Sequence, residues 1–390
     1  MRRLTSTPRA GYEQIVRSQG LVYDADPKGG PSCWDESVHY AFTLNEVLEL
    51  ERVTTELHAR CLDAVEHVIR NRRYADLEIP SCAWPAIERT WEEDSPSLYG
   101  RFDLSYDGEK CAPAKLLEYN ADTPTALLEA AVIQWHWLEE TYPGDDQWNS
   151  LHERLVAAWR RHAPRLPGNV IHFAATDEET SGEDLMTVTY LRDTAGEAGL
   201  RGVTLAIEEI GWDDVDGRFV GASNEPLHTV FKLYPWEWMF EDRFGRMALQ
   251  NLDQMRWIEP VWKYVLSGKG ILPILWELFP GHPNLLPAYR HAPRDLRAYA
   301  RKPIWGREGA NVTLVTPEEM VERPGPYDRS GWIYQSACPL PSFDGQRPVL
   351  GSWIVDGEPA GLGIRESDGP ITDNRSRFVP HRIPCASAAF

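Results

Sequence analysis

A change of hydrophobic rhythm along the chain restricts the fold more than any other feature. From residue 169 the segments NVIHFAAT, EDLMTVTYLRDTAGEAG, RGVTLAIEEIG and HTVFKLYP read in turn as strand, helix, strand and strand. A helix between two apolar strands is the pattern of a right-handed parallel crossover, because antiparallel neighbours need only a short turn. From about residue 296 the pattern is different. YARKPIWGREGANVTLV, GWIYQSA and RPVLGSWIVDGEPAGLGIRE are short alternating runs joined by turns, and Asp356-Gly357 is a hairpin signal. One chain must therefore hold a βαβ-like unit over about 166–245 and antiparallel sheet over about 255–381, which is an α+β architecture. The 30 prolines are spread throughout and no Gly/Ser linker separates the parts, so residues 1–390 are expected to form one compact multi-lobed body.

Upstream, apolar residues at Val47, Leu48, Leu50, Val53, Leu57, Cys61, Val65 and Val68 repeat at helical spacing and predict a long amphipathic helix over 43–72. YGRFDLSY at 99–106 and AKLLEYN at 114–120 alternate around Asp107-Gly108 and predict a β-hairpin. Helices are expected at about 125–141 and 148–163.

Composition narrows the partners. Lys+Arg 40 against Asp+Glu 59 gives a net charge of −19, a field that repels a nucleic-acid backbone, so an anionic ligand needs its own cationic pocket. The longest apolar run, ILPILWELF at 271–279, is far short of the roughly 18 residues a membrane span requires. The first residues carry arginines but no apolar segment behind them, so the cytoplasm is the expected location. The six cysteines (Cys33, Cys61, Cys82, Cys111, Cys338, Cys385) have no paired spacing and suit reduced, individually buried thiols.

The hairpin places residues two apart on one face, so Arg101 projects with Asp103 and Glu118 with Asn120. Asp103, Glu118 and Asn120 offer the oxygen ligands that a hard cation such as Mg²⁺ prefers, and Arg101 beside them suits a phosphate or carboxylate. The same spacing also describes a solvated strand face with ion pairs. Pro124 at the first helical position with Thr123 as cap would turn a helix N-terminus toward the cluster, or simply cap a helix. Further on, Lys302-Pro303-Ile304 and Gly306-Arg307-Glu308-Gly309 read as a strand and a glycine-bearing loop, either a flap over phosphates or an ordinary hairpin. Lys269 and Arg365 are further cations. No Walker A loop, dinucleotide glycine loop, nucleophile elbow or HExxH motif is present. Most of the 16 tryptophans belong to lobe packing.

The ordered set YGRFDLSYD, LLEYNADTPTALLEA, FKLYPWEWMF, GILPILWELFPGHPNLLPAY, KPIWGREGANV and GIRE resembles the glutathionylspermidine synthase family. The likeness runs from about Cys33 to His381 and is closer to the stand-alone bacterial members without the amidase domain, provisionally named acid–amine ligases. It implies an ATP-grasp fold, with a βαβ-type lobe and an antiparallel nucleotide-binding lobe, and ATP and Mg²⁺ as cofactors. It also implies amide formation between a small-molecule carboxylate and an amine through an acyl phosphate. By resemblance Asp103, Glu118 and Asn120 are magnesium ligands, the hairpin and helix over 99–145 form the metal and acyl-phosphate site, and Arg101 meets the acyl phosphate. Lys269 and Lys302 match ATP-binding lysines, while Arg307, Glu308 and Gly309 match the phosphate flap. Gln335 falls near the strand that holds the adenine, and Arg365 near the reacting phosphates. Glu178 and Glu179 fall near the amine.

The chain departs from the synthetases at Leu233 and Trp238, where they carry small hydroxyl residues, and at Thr123 and Thr125, where they carry serines. A pocket that loses hydroxyl donors rejects a substrate that needed them, which points away from glutathione and spermidine. The expectation is an ATP-dependent acid–amine ligase with a different acid and amine. The alternatives are a strict glutathionylspermidine synthetase, a nucleotide-binding pseudoenzyme or partner-binding protein without turnover, and a Mg²⁺-dependent phosphohydrolase.

Overall fold

The structure is a computed structural model that describes residues 1–22, 33–108, 112–179, 181–373 and 376–385. The long helix spans Leu44–Asn71 and starts where the sequence expects, because Thr43 and Glu46 form a reciprocal capping box. It stops where Arg72 adopts a left-handed conformation. Its buried stripe of Val47, Leu50, Val53, Leu57, Cys61, Val65 and Val68 belongs to the larger of two hydrophobic cores.

The parallel unit is present. Strands Arg256–Ile258, Thr229–Leu233, Val170–Ala175 and Arg201–Ala206 lie side by side in that order, all parallel, and helix Glu183–Glu197 makes the crossover between the last two. Phe173 and Phe231 pack tilted against each other at its centre, with Trp159 edge-on to both, in the second core.

The antiparallel strands divide between two five-stranded sheets. One orders Arg377–Phe378, Glu358–Ser367, Arg347–Val355, Tyr99–Ser105 and Lys115–Asn120, and the other orders Ala288–Arg290, Trp332–Ser336, Tyr299–Pro303, Thr313–Val315 and Met320–Glu322. Asp356 and Gly357 both have positive φ, 48° and 82°, as the two-residue turn of a hairpin requires. A third sheet, Arg2–Thr5 with Val38–Ala41 and His381–Arg382, brings the two ends of the described chain together. The sequence pattern did not announce it. The hairpin Gly211–Asp213 with Arg218–Val220 was not expected either.

Two expectations change. Thr123 does not cap a helix at Pro124: helical turns begin only at residue 127, after Ala126 adopts a left-handed conformation with φ of 64°. The Thr125 carbonyl instead accepts a hydrogen bond from Arg101 Nη1 at 2.5 Å. The cysteines are also not all buried. Cys61 is buried, Cys33 and Cys338 are intermediate, Cys82 and Cys385 are exposed, and Cys111 lies outside the described residues. Among the described residues no helix is long and apolar enough to cross a membrane.

Buried polar groups tie the parallel lobe to the hairpin. Asp122, just past the hairpin, accepts from Lys232 Nζ at 2.7 Å and from the Trp236 backbone N–H at 3.0 Å. Lys263 Nζ donates to the carbonyls of Tyr99 and Ala121 and pairs with Glu259, whose Oε1 accepts from the backbone of Leu98 and Tyr99. Lys232 and Asp122 are almost completely inaccessible, so removing Asp122 leaves the Lys232 ammonium buried without its counter-charge, on the Tyr234 carbonyl alone. Asp122→Ala is expected to lower the unfolding free energy by about 3–5 kcal/mol in a denaturant titration. A loss below about 1 kcal/mol, the range of an exposed pair, would contradict this role.

Candidate active site

The site is built on strand Tyr99–Ser105 and its two neighbours. On one side Asp103 stands opposite Glu118 and Arg101 opposite Asn120, which realises the face expected from the alternation. On the other side Gly351 stands opposite Asp103. Glycine is needed there, because a Cβ would lie 2.9 Å from Arg101 Cδ. The Arg101 side chain thereby passes over Gly351 on the neighbouring strand. Its Nε reaches Asp103 Oδ1 at 2.7 Å, its Nη2 reaches Oδ2 at 3.3 Å, and its guanidinium sits 5.7 Å from the Trp353 ring centroid.

Arg365 arrives from strand Glu358–Ser367, two strands away, and donates to Asp103 Oδ2 at 2.6 Å. Lys269 pairs with Glu118 Oε2 at 3.1 Å and donates to the Gly306 carbonyl at 2.7 Å. Lys302 donates to the Leu117 carbonyl at 3.0 Å and to Gln335 Oε1 at 2.7 Å, and Gln335 in turn donates to the Leu116 carbonyl. Eight residues expected from the sequence thus gather in three bonded groups around the Asp103–Glu118 strand pair: Asp103 with Arg101 and Arg365, Glu118 with Lys269 and Asn120, and Lys302 with Gln335.

The electrostatics follow from this crowding. Burial opposes ionisation of Glu118, but the Lys269 and Lys302 ammoniums, with Arg101 behind them, outweigh it and hold the carboxyl far below the usual range. Lys302 moves the other way. Burial, with Lys269 adding to it, brings its ammonium down to about 8 against the attraction of Glu118.

A cavity of about 360 Å³ opens between the two five-stranded sheets. Asp103, Glu118, Lys269, Lys302 and Gln335 line it together with apolar residues. Ala300 pairs with Leu314 on one side and with Gln335 on the other, so beside Lys302 a row crosses three strands, small and apolar at Leu314 and Ala300 and ending on the Gln335 amide. The apolar lining from Leu286, Val312, Leu314 and Ala337 escaped the sequence reading. Ala300, two residues before Lys302 on one strand, was the one part of it that spacing could have shown.

The glycine loop is placed less uniformly. Gly306 and Gly309 reach the cavity, and Gly309, at φ of 69°, lies where a Cβ would meet the Thr372 carbonyl at 2.4 Å. Glu308 is exposed. Arg307 does not line the cavity: it donates to Thr123 Oγ1 at 2.9 Å and to Glu237 Oε1 at 2.7 Å, with its guanidinium 5.3 Å from the Trp238 ring centroid.

Of the two departures near the parallel lobe, Leu233 is buried in the core and Trp238 is 40% exposed. Glu178 donates its backbone N–H to Thr176, and Glu179 accepts backbone N–H groups of its own loop. Glu183 and Asp184, in the first turn of helix Glu183–Glu197, escaped the sequence reading although acidic residues in a first helical turn are a readable signal. Glu183 is buried close to Thr125, whose carbonyl accepts from Arg101, and burial raises its carboxyl. Burial, reinforced by Glu183 and Glu179, pushes Asp184 up to about 7.

The donor chemistry fits the groups the resemblance implies. Two carboxylates and an amide offer oxygen ligands to a hard divalent cation, and an apolar slot ending in two lysines suits a base followed by phosphates. Residues 3–384 match the family described as glutathionylspermidine synthase preATP-grasp. The chain belongs to this family. A Haemophilus influenzae member provisionally named an acid–amine ligase is 39% identical over 98% of this chain and 99% of its own length. The trypanothione synthetase of Crithidia fasciculata is 31% identical over 84% of this chain. The bifunctional glutathionylspermidine synthetase/amidase of Escherichia coli is 28% identical over 94%. These last two are longer, the matches spanning 54% and 61% of their lengths. The solved structure of a glutathione synthetase-like effector from Globodera pallida covers 97% of this chain with a TM-score of 0.55 at 10% identity, a likeness of fold.

Lys302 supplies a pH test of the packing. Its ordinary pKa is 10.5 and its folded value about 8, so between those limits the unfolded chain binds more protons and stability gains as pH rises. Denaturant titrations of wild type and Lys302→Met are expected to show the wild type gaining on the variant between pH 8 and 10.5. A difference between them that does not change with pH would contradict burial of this ammonium.

Proposed function

We propose that the chain is an ATP- and Mg²⁺-dependent carboxylate–amine ligase that forms an amide through an acyl phosphate. The observation that carries the reading is the joining of Asp103 and Glu118 to four cations, Arg101, Arg365, Lys269 and Lys302, at the end of an apolar cavity between two antiparallel sheets. Family membership supports the same reading.

In this reading the apolar row around Ala300 and Leu314 takes the base, and Lys269 and Lys302 take the phosphates. Asp103, Glu118 and Asn120 hold magnesium, which when bound neutralises phosphate charge as the phosphoryl group moves. Arg101 orients the acceptor carboxylate, and Arg365 meets the reacting phosphates. The carboxylate oxygen takes the γ-phosphoryl group, giving acyl phosphate and ADP, and the amine then displaces inorganic phosphate to give the amide. Glu179, whose loop N–H groups favour its ionised form, carries the charge that attracts an ammonium substrate, and Glu183 and Asp184, both raised by burial, complete the acidic patch beside it. The loop holding Arg307, Glu308 and Gly309 excludes water, which would otherwise hydrolyse the acyl phosphate. Its anchors on Thr123 and Glu237 join it to the hairpin and the parallel lobe.

Trp238 stands beside Arg307 where relatives with glutathione in their names carry a small hydroxyl residue by resemblance. A bulky aromatic group there supports a different acid from glutathione.

Purified protein with Mg-ATP, screened against pooled amino acids, small peptides and polyamines, is expected to release ADP only with a carboxylate present. With hydroxylamine added it should yield a hydroxamate, and Asp103→Asn should reduce turnover by about a hundredfold or more. ADP release indifferent to any carboxylate would favour a phosphohydrolase. Tight nucleotide binding without release from any pool would favour a chain without turnover.

A further inference from the structure

The candidate metal ligands are already engaged. Asp103 Oδ1 accepts from Arg101 Nε at 2.7 Å, and Oδ2 accepts from Arg365 Nη2 at 2.6 Å and Arg101 Nη2 at 3.3 Å. Glu118 Oε2 meets Lys269 Nζ at 3.1 Å, and Oε1 accepts from Asn120 Nδ2 at 3.4 Å. Four cations therefore face two carboxylates, with Lys302 adding its field to Glu118. A dication brought alone into this cluster meets an excess of positive charge and has to displace charge-assisted hydrogen bonds. Among the described residues no three His, Cys, Asp or Glu side chains are grouped to hold a metal, so the ligands missing from its shell have to come from outside the protein.

The two arginines on Asp103 differ in how firmly they are held. Arg101 has a second hydrogen bond to the Thr125 carbonyl and lies against Trp353, and only 5% of it is exposed. Arg365 is more open, and among the described residues Asp103 is its one hydrogen-bond partner. A polyphosphate brings several negative charges and accepts hydrogen bonds in the same fork geometry as a carboxylate, so it competes directly for the Arg365 guanidinium.

Building on the reading of Asp103 and Glu118 as the metal ligands, we propose that Arg365 is a gate on Asp103. It holds Oδ2 until a polyphosphate draws the guanidinium away, and the divalent cation enters with the nucleotide, not before it. Arg365 then has two successive partners, the metal ligand and the phosphate, and cation loading is coupled to nucleotide loading through one side chain.

Mn²⁺ is the probe, and the enhancement of water-proton relaxation by protein-bound Mn²⁺ is the readout, measured on the full chain with and without a non-hydrolysable ATP analogue. Wild type is expected to bind Mn²⁺ alone at least about tenfold more weakly than in the presence of the analogue. Arg365→Met, with Arg365→Gln as a second variant, is expected to bind Mn²⁺ alone about tenfold more tightly than wild type. Equal Mn²⁺ affinity of wild type with and without the analogue would overturn the gate, and the two wild-type arms decide this whether or not a variant folds. Unchanged affinity in both folded variants would overturn the role of Arg365. No protein-bound Mn²⁺ even with the analogue would overturn the metal assignment itself, a different result from failure of the gate.

Discussion

Everything at the site depends on an imbalance of charge held between two sheets. Asp103 and Glu118 sit on adjacent strands and are surrounded by Arg101, Arg365, Lys269 and Lys302, each partly or wholly withdrawn from water. Charges this close in a desolvated site interact several times more strongly than in water. Lys302 is lowered mainly by burial, with Lys269 adding to it, whereas the surrounding cations hold Glu118 ionised against its own burial. A polyanion is the ligand that balances such a cluster. The overall charge of −19 makes the point sharper, since the rest of the molecule repels what this pocket attracts.

The fold supplies the rigidity that the imbalance needs. Strand Tyr99–Ser105 is buried along its whole length and is paired on both sides, so Arg101 and Asp103 have little freedom to separate. Behind it the Lys263, Glu259 and Asp122 networks satisfy the backbone at both ends of the hairpin and anchor it to the parallel lobe. The second sheet brings Lys302 and Gln335 on strands that pair with each other, so the lysine is aimed by the same register that forms the apolar row.

What the sequence disclosed depended on the range of the interaction. Arg101, Asp103, Glu118 and Asn120 were visible as a face because strand alternation is local, and the crossover at 170–206 was visible because a helix between apolar strands is local too. Arg365 on Asp103 was not readable from spacing, since it requires the pairing of strands some 250 residues apart, with a sequence separation of 262 between the two residues. Resemblance placed it near the phosphates, but not on this carboxylate. Thr123 misled because its setting matched a cap, whereas the tertiary bond from Arg101 to the Thr125 carbonyl and the left-handed Ala126 delay the helix. The apolar lining came from segments scattered along the chain, from Leu117 to Ile371, and had no local signature.

The central proposal is that the cavity between the sheets takes the nucleotide and that its lysine-bearing end is the reaction centre; family membership and the charge cluster support it. The most direct measurement is an experimental structure of the chain with Mg²⁺ and a non-hydrolysable ATP analogue. The expected result has the base along Ala300 and Leu314, the phosphates on Lys269 and Lys302, and the metal on Asp103 and Glu118. A nucleotide bound elsewhere, with Asp103 still held by both arginines, would contradict the claim.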